Sequence, residues 1–76
     1  MEDRQEKQHK ITITTRDRLL RAWQNSMELT RDFEIYSQEI KDDQKSAQMF
    51  AKFAEEEGRH AAELRKRLLE YQDSQG

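Results

Sequence analysis

Ala54-Glu55-Glu56-Glu57-Gly58-Arg59-His60-Ala61-Ala62-Glu63-Leu64 has the apolar spacing of a helix, yet carries a carboxylate in the middle of it. At about 100° per residue, with Glu57 set at zero, Phe50 and Leu68 fall about 20° to one side and Leu64 about 20° to the other. Phe53 and His60 lie within about 60°. Glu57 therefore sits at the centre of the face expected to be buried, while Glu55 and Glu56 point elsewhere into solvent. An unpaired carboxylate in that place costs on the order of several kcal/mol or is forced to take up a proton. Something must compensate it.

His60, one turn along the same face, is the first candidate, because residues three apart on a helix project side by side. A Glu-x-x-His pair offers one carboxylate and one imidazole to a single point, which a borderline transition metal accepts. The competing account is a Glu57–His60 ion pair or a hydrogen-bonded histidine, which perturbs the site in the same way without a metal. Two ligands do not complete a metal site. A second hairpin, paired antiparallel about a two-fold axis, brings another Glu57 and His60 and makes four.

Working outward, Ala47, Phe50, Phe53, Ala54, Ala61, Leu64, Leu68 and Tyr71 share the stripe with Glu57 and His60, predicting a helix over 43–72 and a tail at 73–76. Asp42-Asp43 before it offers a turn and an acidic N-cap. Upstream, Thr14 or Thr15 is an N-cap with Asp17 in reach of the free amides, and nothing breaks a helix over 15–41. Its stripe runs through Leu19, Ala22, Trp23, Ser26, Thr30, Phe33, Ser37 and Ile40, widened by Leu29 and Tyr36. So short a connection folds two long helices back on each other. The expected fold class is all-α, a two-helix antiparallel hairpin over 15–72. Residues 1–14 are expected to form a flexible N-terminal arm; in it, Ile11-Thr12-Ile13-Thr14 alternates like a strand and suggests an extended piece lying on a neighbouring subunit.

Composition narrows the function classes. The chain has 76 residues, 33% hydrophobic, and no cysteine, so disulfides and thiolate metal sites are excluded and any metal must be held by carboxylate and imidazole. So small a core favours self-association. Fourteen basic against sixteen acidic side chains leave a net charge of -2, which gives no electrostatic reason to expect a nucleic acid partner. Arg65-Lys66-Arg67 lies between Glu63 and Glu70 at helical pairing distance and reads as a solvated surface. No apolar run suits a membrane, and the polar first ten residues lack the apolar part of a signal peptide, so a cytoplasmic location is expected.

The segment from Ala54 to Leu64, preceded by Phe50, resembles the second helix of the rubrerythrin branch of the ferritin-like superfamily. Leu19-Leu20-Arg21-Ala22-Trp23, followed by Phe33 and Tyr36, is similar to that family's first helix, so the resemblance covers roughly residues 18–72. It implies a four-helix bundle built here by a homodimer or larger homo-oligomer, like the hairpin subunits of short ferritin-like proteins packaged in encapsulin shells. By the resemblance, Glu57 is the bridging or chelating carboxylate and His60 the terminal imidazole of an iron site, with manganese or another divalent metal as the alternative. A compartment shell or a redox partner is implied as well. Ser26 departs from the pattern: it stands where the family's first-helix glutamate belongs, in mid-stripe. Glu28 lies about 200° from it around the helix, and Glu34, about 80° away and two turns on, is only a peripheral candidate ligand. A dimer would then offer two glutamates and two histidines. The expected function is non-haem metal binding, for iron oxidation, iron storage or peroxide handling, with ferroxidase or rubrerythrin-like peroxidase as the enzyme class. The alternative is a metal-free, degenerate ferritin-like hairpin that serves as an assembly or interaction module.

Overall fold

The computed structural model describes residues 12–75, with side chains as far as Tyr71. It contains helix α1, Thr15–Glu39, and helix α2, Gln44–Gln75, folded back on each other through residues 40–43. No strand occurs among the described residues: Thr12 to Thr14 run into the helix without regular structure, and the rest of the expected arm, residues 1–11, lies outside them. α1 stops two residues before the expected end because Ile40 is extended, and its N–H closes the last turn on the Tyr36 carbonyl at 3.0 Å. α2 continues to Gln75, through residues expected to be tail, since no proline or glycine stands between Tyr71 and Gln75.

Both helix starts are built by side chains. Thr14 Oγ1 accepts from Asp17 N and Asp17 Oδ2 accepts from Thr14 N, each at 3.1 Å, so two otherwise unpaired amides are satisfied reciprocally. At α2, the Asp43 carboxylate accepts from Ser46 N at 3.1 Å and from Ser46 Oγ at 2.6 Å. These bonds favour the charged form of each acid. The Thr14 amide and then its hydroxyl hold Asp17 below the ordinary 3.8, and the Ser46 hydroxyl and then its amide do the same for Asp43.

The two helices meet along a narrow seam. Its buried members are Ala54, Ala61 and Leu68 from α2 and Ser26 from α1, and no large side chain among the described residues is fully buried. Alanine at two of these positions lets the α1 backbone lie close to α2. Nearer the connection the seam widens into rings. Phe33 stacks on Phe50 at 5.7 Å, Tyr36 meets Phe50 edge-on at 5.3 Å, and Phe53 closes on Phe33 at 5.8 Å. Positions equidistant from the connection face each other, so Phe33 meets Phe50 and Ser26 meets Glu57.

A single partner helix covers only part of the α2 stripe. The covered part is centred on Ala54 and Ala61, roughly 40–60° from Glu57. Glu57 is therefore at the edge of the seam and not at its centre. His60, one step further round, is left outside, with 67% of its side chain exposed. The other half of the apolar stripe is open: Leu29, Tyr36, Met49 and Phe53 are exposed, and the helical step puts all four on the His60 side of the hairpin. Among the described residues no helix is long and apolar enough to cross a membrane.

Candidate functional site

Three side chains converge halfway along the hairpin. Ser26 is only 6% exposed, and its Oγ donates to Glu57 Oε2 at 2.7 Å, across the seam from α1 to α2. The other carboxylate oxygen, Oε1, lies 3.4 Å from His60 Nδ1, one turn along α2. Thr30 Oγ1 donates to the Ser26 carbonyl at 2.8 Å, one turn along α1.

The two contacts to Glu57 are unequal. A short hydrogen bond from a buried hydroxyl to a carboxylate contributes about 1.5–3 kcal/mol. A pairing with a histidine exposed to water contributes about 0–1 kcal/mol, and only when the imidazole is protonated. Ser26 is thus the main compensation for the carboxylate in the apolar stripe, with His60 second. Taken one helix at a time, the stripes place Ser26 in mid-stripe but point to His60 as the partner of Glu57. The signal that names Ser26 is the fold-back symmetry: it and Glu57 are equally far from the 40–43 connection.

The seam has two sides. On the His60 side a shallow groove is lined by Leu19, Ser26, His60, Glu63, Leu64 and Arg67. On the opposite side Trp23, Met27 and Thr30 face Gly58, Ala62 and Arg65. A Cβ added at Gly58 would meet only Thr30 Cγ2, at 3.9 Å, an ordinary contact. The groove lies on the same side of the hairpin as the exposed Leu29, Tyr36, Met49 and Phe53, so the polar cluster and the uncovered apolar residues share one side.

As a metal site, one hairpin supplies one carboxylate and one imidazole. No group of three or more potential ligands gathers among the described residues. Glu34 is exposed and stands about 12 Å along α1 from Ser26, away from Glu57 and His60. Two donors do not meet the four that a tetrahedral divalent site takes, so the single chain does not by itself fit the di-iron group that the resemblance implies. A second copy would have to bring the rest. No protein-family model, curated protein or solved structure matches the chain.

Proposed function

We propose that the chain is a ferritin-like helical hairpin that works as a self-assembling module, two copies covering each other's open face to complete a four-helix bundle. The hydrogen bond from Ser26 to Glu57 carries this proposal. Where the resembled family has a metal-ligating glutamate on the first helix, this chain has a hydroxyl that is spent on the second-helix carboxylate. Glu57 then serves as a half-buried acceptor at the seam edge that fixes the register of α1 on α2, a use of core polar groups known from other helical assemblies. The exposed Leu29, Tyr36, Met49 and Phe53 supply the apolar surface for a second copy.

A metal-binding function is the second proposal, and one observation favours it. Glu57 Oε1 and His60 Nδ1 already lie 3.4 Å apart at the edge of the open face, where a two-fold mate would bring an equal pair. In that case iron or manganese is held by the Glu57 and His60 side chains of two chains.

Sedimentation equilibrium of metal-free protein, followed by anaerobic titration with Fe(II) or Mn(II), separates the two. The assembly module forms dimers without metal and takes up none. One metal per two chains, lost in both Glu57→Ala and His60→Ala, overturns that in favour of the metal site. A monomer at all concentrations overturns both.

A further inference from the structure

The charge on the hairpin is segregated along its length, with the Ser26–Glu57 bond as the dividing line. From residue 27 to 57, the connection end, four cations stand against nine carboxylates, a net charge of -5. At the open end, α1 carries Arg16, Arg18 and Arg21 against Asp17, and α2 carries Arg59, Arg65, Lys66 and Arg67 against Glu63 and Glu70, a net charge of +4 over residues 12–26 and 58–71. A docking with both connections at the same end would bring like ends together. One with the connections at opposite ends sets each basic end on an acidic one.

The flank of α2 beside the open face carries a finer pattern. Lys45, Lys52 and Arg59 recur at seven-residue spacing, and so do Glu56, Glu63 and Glu70. By the helical step all six lie within about 60° of one another, on the rim just beyond His60. In chain order the signs run Lys45, Lys52, then Glu56, then Arg59, then Glu63 and Glu70, so each cation has a carboxylate at the mirror position of the series. Such a rim is complementary to itself when reversed. Laid antiparallel on a second α2 about a two-fold axis at the level of Glu57, it sets Lys52 against Glu63, Arg59 against Glu56, and Lys45 against Glu70, whose Oε1 also takes the chain's own Arg67.

We infer that the occupant of the open face is a second copy of this chain, docked with its connection at the opposite end, so that α2 lies along α2 and the Lys45, Lys52, Arg59 series meets the Glu56, Glu63, Glu70 series. This rests on the self-assembly proposed above and adds its orientation and the residues that select it. Flanking pairs of this kind choose partner and direction while the apolar strip between them supplies most of the affinity.

Charge reversal tests it, because Lys52 and Glu63 are exposed in the hairpin and neither holds α1 on α2. Dimer dissociation is measured by sedimentation for the parent, Lys52→Glu, Glu63→Lys and the double variant, with helicity checked by circular dichroism. Each single reversal is expected to weaken the dimer about tenfold, since the two-fold places every pair twice, and the double reversal to return it to within about threefold of the parent. In the opposite docking both residues face α1 of the mate, and the double variant stays weak. A dimer without that rescue, or one that the single reversals leave unchanged, overturns the orientation alone. A parent chain that is monomeric overturns the self-assembly as well.

Discussion

The hairpin is held in two different ways at two levels. Near the connection, Phe33, Tyr36, Phe50 and Phe53 meet as rings at 5.3–6.3 Å, Tyr36 and Phe53 on the side left open, and the helices are joined by area and ring geometry. Halfway along, the buried residues Ala54, Ala61 and Ser26 are small, and the cross-helix bond is one hydroxyl on one carboxylate. The ring end tolerates sliding, because apolar contacts are not directional. The middle does not, because a hydrogen bond at 2.7 Å exists in a single register. One region supplies adhesion and the other supplies alignment.

The sharpest way to break this contrast is at Phe50, which touches three other rings. Phe50→Ala is expected to cost about 3 kcal/mol in urea unfolding at fixed protein concentration. A smaller loss than that of the serine variant described next would mean that adhesion does not reside at the ring end. Ser26→Ala removes the donor but leaves the carboxylate, at about 2 kcal/mol. Adding Glu57→Met should recover most of that loss, since no polar group is then stranded. A double variant as unstable as Ser26→Ala would show that the serine acts by packing and not as a donor.

Smaller effects sharpen the contrast from outside the two regions. Thr14→Ala opens the reciprocal cap of α1 and should cost about 1 kcal/mol without changing the dimer mass. Gly58→Ala, next to the alignment point, should stabilise by roughly 0.5–1 kcal/mol, because the added methyl meets Thr30 at an ordinary distance and the helix loses a flexible residue. If it destabilises instead, the backbones approach more closely in the assembled protein than in one hairpin. Acid exposes the smallest effect. Asp17 and Asp43 are held below 3.8 by their cap bonds, so what they contribute is fully present above that value and fades as the pH falls through their lower folded-state values. Unfolding followed between about pH 4 and pH 2 should lose this contribution in the parent, only the remaining acid's share in Asp17→Asn or Asp43→Asn, and none of it in the double variant.

The hairpin and its caps were visible in the sequence because each is a local matter. Thr14 with Asp17, and Asp43 before Gln44, announce helix starts over a few residues, and the absence of proline lets the stripes run on. The position of Glu57 relative to the seam was not visible in the same way. A helical wheel finds the middle of an apolar face but does not say which half of that face a given neighbour covers. Here the alanines drew α1 to one half and left His60 in the open. In the sequence Ser26 stands out for the carboxylate it lacks, whereas its contribution is the proton it donates, which emerges only when the two helices are set in register.

That register also orders events as the chain folds. Bringing Phe33 onto Phe50 closes a short loop around residues 40–43, whereas Ser26 and Glu57 stand 31 residues apart. The longer closure costs only about 0.5 kcal/mol more in chain entropy, but the shorter one is rewarded at once by ring contact. Loop closure therefore favours the ring contacts first, and the hydroxyl meets the carboxylate after them, as a check on the register before the outer halves of the helices close. A chain that collapsed one turn out of step would keep much of its apolar contact and fail only there.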